Sequence, residues 1–239
     1  MKAMLLAAGL GTRLKPFTDN HPKALALVNN KSLLQRNIEY LMSYGFDEII
    51  VNVHHFAEQI VNTIHENNGW GATISISDEQ DQVLETGGGL LKASNFFSPS
   101  NDSFLLMNVD ILTDLNLHQM LAFHQKENPL ATLAIRKRDT SRYLMFNENN
   151  VLVGWKNIST NETKEVIECT HPSLFAFSGI QIINPIFFEK VNMSGKFSMI
   201  DAYLKLAPSN IIKGFDHSDS QMIDVGKPES IEKAAQLFP

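Results

Sequence analysis

The apolar positions of this chain fall into short runs that alternate with amphipathic stretches through the first half, and then lose the helical intervals. "KAMLLAA" (2–8) has the length and composition of a buried strand. "SLLQRNIEYLMSYG" (32–45) spaces its apolar residues at helical intervals, with Ser32 as N-cap and Gly45 closing it. "DEIIVNV" (47–53) is the next strand and "FAEQIVNTIHENNG" (56–69) the next helix, ended by Gly69. "ATISISD" (72–78) follows as a strand, the glycine run at 87–89 opens a helix through "LLKASNFF", and "SFLLMNV" (103–109) is a buried strand that stops at Asp110. Helices between strands imply parallel pairing with right-handed crossovers and a ligand at the strands' carboxyl ends. The glycine turn after the first strand and Asp110 both fall there.

Beyond residue 130 the pattern changes. "LATLAIRK", "YLMFNEN" and "VLVGWKN" predict strands joined by polar turns, "SLFAFSGIQII" a long apolar strand, and "PESIEKAAQLF" a closing helix. The polar stretch at 157–172, "NISTNETKEVIECTHP", reads as a mobile loop at the edge of a site. No repeat, low-complexity tract or linker divides the chain, so a single α/β domain over 1–239 is expected.

Composition narrows the partners. With 239 residues and 44% hydrophobic content the chain can bury one substantial core. A net charge of -6 argues against nucleic acid as the main partner. Cations gathered in one loop of an acidic chain point instead to a local anion site. The lone Cys169 excludes an internal disulfide framework, fits a reducing cytoplasm and has no activating context in "VIECTHP". "MKAMLLAAG" imitates a signal peptide, but its apolar run is short and Arg13 and Lys15 follow at once. No apolar run approaches the ~20 residues of a membrane span.

The chemistry concentrates in "AAGLGTRLKPFTDNHPKAL". Gly9 and Gly11 suit either a tight turn or a cradle in which bare backbone amides meet anionic oxygens. Leu14 stands where a third dinucleotide-fingerprint glycine belongs, and no GK[ST] follows as in a Walker loop. Arg13 and Lys23 favour the phosphate reading, since guanidinium grips phosphate oxygens in a fork and lysine adds a point charge. Pro22 stiffens the backbone just before Lys23. Lys15 reads as a solvated surface lysine.

This stretch resembles the signature of the sugar-1-phosphate nucleotidyltransferases, GxGTRxxPLTxxxPK, with Phe17 in place of the usual leucine. The resemblance continues through "LETGGGLLKA", "FLLMNVD", "FAFSGIQIINP" and "MIDVGKPES". The triple-glycine form with Glu85 is similar to N-acetylmuramate-1-phosphate uridylyltransferases and some mannose-1-phosphate guanylyltransferases. It implies a Rossmann-like nucleotidyltransferase fold with a mixed, largely parallel central sheet flanked by helices, its nucleotide-binding half at about 1–128 and its sugar-binding half at about 129–239. It implies the reaction of an NTP with a sugar-1-phosphate to give an NDP-sugar and pyrophosphate, with UTP and N-acetylmuramate-1-phosphate or a related hexose phosphate as the expected pair.

Carried onto this sequence, the resemblance assigns Ala7, Ala8, Gly9, Gly11, Thr12, Arg13, Lys23 and Gly88 to the nucleotide. Arg13, Lys23 and Asp110 become the catalytic set, Asp110 and Asp224 the Mg2+ ligands, and Glu85, Asn108 and Gly179 the sugar contacts. Gly226 gives a turn after Asp224, and Pro228 opens the last helix. Val109, Met222 and Lys227 depart from the family's usual residues. "VGWKNIST" replaces its Glu-Lys-Pro, which makes Lys156 the substitute for the lysine on the sugar phosphate. Arg142, Lys156 and Lys164 are the cations available to a lactyl carboxylate. His54 and His55 lack a local acidic partner and read as loop histidines. "PKAL" and "VNNKSLL" also resemble the phosphocholine cytidylyltransferase branch, and a catalytically silent nucleotide-sugar-binding regulator is the alternative outside enzymes. No hexapeptide-repeat tail follows Asp224, which sets aside a fused acetyltransferase.

Overall fold

The computed structural model describes residues 1–79, 82–98 and 102–239. In chain order the elements are β1 (Lys2–Leu6), β2 (Leu27–Val28), β3 (Lys31–Ser32), α1 (Leu33–Ser43), β4 (Glu48–Val53), α2 (Ala57–Glu66) and β5 (Thr73–Asp78). Then come α3 (Glu85–Lys92), α4 (Ser94–Phe97), β6 (Phe104–Asn108), β7 (Ile111–Thr113), α5 (Leu117–Glu127) and β8 (Ala131–Arg136). The remainder is β9 (Arg142–Phe146), β10 (Leu152–Asn157), β11 (Glu162–Glu165), β12 (Ser173–Ile183), α6 (Phe187–Lys190), α7 (Met199–Leu206), β13 (Ile212–Asp216), β14 (Met222–Asp224) and α8 (Pro228–Leu237).

The central sheet runs β11-β10-β9-β12-β6-β1-β4-β5, with β8 joining β12 to β13. β5, β4, β1 and β6 are parallel, and β12 enters antiparallel to β6. This is the mixed α/β fold expected, a central sheet flanked by helices. The apolar runs of β1 and β6 reflect burial on both faces. Met4 and Leu106 face a core with Phe97, Phe104 and Tyr203. Leu5, Leu105 and Met107 face the other, with Ile38, Leu41 and Ile60 of the helices. Each such side chain contributes about 1.5–3 kcal/mol on burial.

Ser32 caps α1 by accepting from the Gln35 amide at 3.0 Å, and Gly45 closes it with φ 82°. Two readings are corrected, and two helices are additional. α3 begins at Glu85, so the glycines lie inside its first turns rather than ahead of it. The 157–172 stretch carries β11, which pairs with β10 around a turn at Asn161. The helical interval 117–127 and the α7 helix have no counterpart in the expected elements.

One small pairing positions the site. β14 runs antiparallel to β7 with Asp224 opposite Ile111, and the Val225 amide donates to the Asp110 carbonyl at 2.8 Å. Two aspartates far apart in sequence are thereby set side by side.

Candidate active site

The carboxyl ends of β1, β4 and β6 open onto a cleft of about 370 Å³, lined among others by Gly9, Lys23, Asn52, Glu79, Asn108 and Asp110. Its base is a buried polar knot. Asn52, 2% exposed, accepts from the amides of Ala7 at 2.7 Å and Ala8 at 3.3 Å. Its Nδ2 donates to Glu79 Oε1 at 2.7 Å, and Glu79 Oε2 accepts from the Leu84 amide at 3.1 Å. One side chain thus ties the start of the glycine turn to the segment leading into α3. A buried carboxylate is tolerable because donors meet both its oxygens.

The amides of Ala7 and Ala8 are therefore committed inside the protein. Those of Gly9, Leu10 and Gly11 have no internal acceptor among the described residues, as an anion cradle requires. Gly11, φ 63°, leads into a short helical turn at Thr12–Leu14, fastened by Thr18 Oγ1 donating to the Gly11 carbonyl at 2.9 Å. Thr12 and Arg13 are exposed on it.

Lys23 reaches back from the next turn to Asp110. Its Nζ donates to Asp110 Oδ2 at 2.5 Å, and the side chains are 16% and 10% exposed. Asn37 of α1 donates to the Val109 carbonyl at 2.8 Å, and Val109 itself is buried in the core. On the other side Arg13 Nη2 stands 3.8 Å from Asp224 Oδ2. Gly226 permits this approach: a Cβ there would come within 2.7 Å of both Arg13 Nη2 and Asp224 Oδ1.

Asp224 carries a further mark. Its Oδ1 is shut from solvent with no hydrogen-bond partner among the described residues. Burial, and next the negative charge of Asp110, push its carboxyl above the ordinary range, against the pull of Arg13, Lys23 and Arg138. A shielded oxygen beside a second carboxylate is the donor set a hard divalent cation satisfies, and Mg2+ needs only one or two carboxylates when phosphates and water complete its shell. Among the described residues no third His, Cys, Asp or Glu forms a cluster with them.

The remaining assignments divide. Glu85 lines the cleft, with Lys196 Nζ 3.7 Å from its Oε1. Asn108 lines it as well, but packs its Nδ2 where a Cβ on Gly179 would stand, 2.8 Å away. Gly179, φ 74°, accommodates Asn108 at a register shift in β12. The amides of Gly87 and Gly88 both donate to the Phe197 carbonyl, at 2.9 and 3.2 Å, and a Cβ on Gly88 would stand 2.3 Å from the Gly195 carbonyl oxygen. The triple glycine is a close contact between α3 and the 195–197 segment, and Gly88 has no amide left for a base. Lys156 sits opposite Tyr143 and Thr163, on the sheet face away from Trp155 and Lys164. Lys15 is exposed and paired with Asp19 at 2.9 Å. His54 Nδ1 lies 2.8 Å from the Glu79 carbonyl.

Asn52 and Glu79 were not among the expected residues. The signal was a polar residue interrupting "IIVNV" and an acid directly after "ISISD", at two neighbouring strand ends.

Residues 2–145 match a family profile described as Nucleotidyl transferase. The chain is 30% identical over 238 residues to the UTP–glucose-1-phosphate uridylyltransferase of Synechocystis sp., a match covering 95% of this chain and 60% of that protein. It is 26% identical over 252 residues to probable mannose-1-phosphate guanylyltransferase 2 of Arabidopsis thaliana, covering 100% and 65%. The chain thus spans less than two thirds of the length of these curated relatives. In fold it is similar to HddC from Yersinia pseudotuberculosis complexed with GMP-PN, with TM-score 0.78 and 23% identity over 100% of this chain and 99% of that one.

Proposed function

This chain belongs to the nucleotidyl transferase family, and we propose that it joins a nucleoside triphosphate to a sugar 1-phosphate in the cytoplasm, releasing pyrophosphate. The proposed pair is UTP with N-acetylmuramate 1-phosphate or a related hexose phosphate. The observation that carries the reading is the convergence beneath one glycine turn of Lys23 on Asp110 and of Arg13 on an Asp224 whose Oδ1 lacks a partner.

The acceptor phosphate is largely dianionic near neutral pH, since its second pKa is about 6. Its oxygen attacks the α-phosphorus without a general base, forming the new O–P bond as the α–β bridging bond breaks and pyrophosphate leaves with the electron pair. The work of the protein is then positioning and charge neutralisation. The glycine-turn amides hold phosphate oxygens, and Arg13 and Lys23 meet the charge that grows on the leaving group. Asp110 and Asp224 would hold Mg2+, which supplies further neutralisation of the phosphate oxygens when bound. The nucleotide is assigned to the side built by residues 1–128, and the sugar to the side built by 129–239.

A relative named as a uridylyltransferase supports UTP. Phosphocholine is a poor acceptor on electrostatic grounds, because the neighbouring cleft presents Arg138, Arg142 and Lys164. Pyrophosphate release, measured with UTP, dTTP, CTP and GTP crossed against sugar 1-phosphates and phosphocholine, with Mg2+ and with EDTA, tests the proposal. One strong magnesium-dependent pair is expected. Silence across the panel with nucleotide-sugar binding intact would replace the enzyme by a regulatory binding protein.

A further inference from the structure

A second cleft of about 380 Å³ lies beside the first, and Ser198 is a wall of both. Strand register builds one side of it. Trp155 of β10 stands opposite Leu144 of β9 and opposite Lys164 of β11, and Arg142 lies two residues before Leu144. Alternation along a strand puts all four on one face. α7 supplies the other side through Ile200, Asp201 and Leu204.

The charges in this cleft are unbalanced and largely uncommitted. Among the described residues the Arg142 guanidinium has no ion-pair or hydrogen-bond partner. Lys164 Nζ is 3.8 Å from Glu162 and 3.9 Å from Asp201, both pairs about half exposed, and stands 5.4 Å from the Trp155 ring centre. Such loose exposed pairs are worth little and exchange readily for a better anion. Arg138 Nη2 makes only a 3.5 Å contact with the Phe177 carbonyl, and its charge is felt at Asp224. Asp201 is the acid among the lining residues, and its Oδ2 accepts from Ser198 Oγ at 2.6 Å. The arrangement is cationic and aromatic in a protein whose net charge is -6. Sugar hydroxyls alone would be served by neutral partners, whereas a carboxylate or phosphate matches the guanidinium fork and the lysine.

We infer that this cleft selects acceptors bearing a second anionic group, a carboxylate or a phosphate on the sugar in addition to the 1-phosphate, with Arg142 and Lys164 taking that group and Trp155 packing on the carbon skeleton beside it. The inference rests on the reading of the first cleft as the transfer centre.

The test compares acceptors differing only in that group: N-acetylmuramate against N-acetylglucosamine 1-phosphate, and glucose 1,6-bisphosphate against glucose 1-phosphate. In the wild type the more anionic member of one pair is expected to lead by about 10-fold or more in kcat/KM, the yield of a charge-assisted bond or two. The pair that shows this names carboxylate or phosphate as the group read. Arg142→Gln with Lys164→Gln should carry that ratio toward one, chiefly through KM, and Arg142→Glu should push it below one. Both residues are exposed, and matched thermal melts confirm the fold. A wild-type ratio near one in both pairs overturns the inference. So does an equal loss on both members of the pair, which would assign these cations to the shared 1-phosphate. Should no acceptor turn over, the transfer reading fails separately. Titration calorimetry of N-acetylmuramate 1-phosphate and glucose 1,6-bisphosphate against wild type and the double variant then decides: weaker binding to the variant supports the cleft, and equal binding overturns it.

Discussion

The two clefts hold their cations differently. Lys23 is pinned, 16% exposed and 2.5 Å from a carboxylate, on a backbone that Pro22 sets at φ -70°. Arg142 and Lys164 stand out from strand faces, unpartnered or paired loosely. Fixed charge suits a centre where the charge that matters appears only in the transition state, because nothing needs to reorganise as it forms. Loosely held charge suits recognition of a ground-state group, where a flexible side chain can follow the ligand. The difference between the clefts is thus one of preorganisation as much as of composition.

That contrast breaks first at the aspartates. Asp110→Asn or Asp224→Asn should lower magnesium-dependent turnover by about 10³-fold or more on every acceptor, charged or neutral, with the circular dichroism spectrum retained. Near-normal pyrophosphate release in either variant would remove the metal role. Lys23→Ala comes next. It should cost about 10²–10³ in kcat, as loss of one preorganised donor does. It also leaves Asp110 without its cation, and breaking a largely buried pair destabilises by about 3 kcal/mol. A chemical denaturation series therefore separates Lys23, which should change both activity and stability, from Arg142, which should change selectivity alone.

Asn52→Ala tests the support beneath the first cleft. The Ala7 and Ala8 amides lose their acceptor and Glu79 loses a donor. A loss of about 2–4 kcal/mol is expected for buried groups left unsatisfied, seen as a fall in Tm of several degrees. An unchanged Tm would mean that water replaces the amide at no cost.

The last test is acid, read at two buried histidines. Burial lowers the pKa of His217 to about 4, where it lies between Ser178 and Ser220, and does the same to His124 between Ser103 and Thr132. Both are neutral when folded and take up a proton at about 6.5 when unfolded. The unfolded state then binds more protons, so their contribution is complete above about pH 6.5 and fades as pH falls toward 4, by about 3 kcal/mol per histidine. Denaturation midpoints of His217→Gln against wild type across that window should converge as the pH drops. A constant difference would show that folding does not lower the pKa of the ring.

These contrasts also mark what the sequence could disclose. The first cleft is assembled from turns at strand ends, and turns have local signatures: glycines where backbone must be bare, Pro22 before Lys23, Asp110 stopping an apolar run. The second cleft depends on which residue of β10 faces which residue of β9 and β11, and register has no local signature. Arg142 and Lys164 were therefore visible as cations but not as neighbours, and Lys156 was put forward although pleating turns it to the other face. "LETGGG" is ambiguous for a related reason. A run of glycines looks the same whether a ligand or the 195–197 backbone presses against it. β11 hid inside polar residues because an exposed edge strand needs no apolar face.

The β7–β14 pairing has a consequence for motion as well as for position. The glycine turn and Lys23 are adjacent to Asp110 through parallel strands of the first half, whereas Asp224 arrives through a contact more than a hundred positions distant, anchored by the Val225 amide on Asp110. The pairing is short, and its opening would part Asp224 from Asp110 while the glycine turn and Lys23 keep their places. In that opened form the protein would hold a phosphate without its second carboxylate.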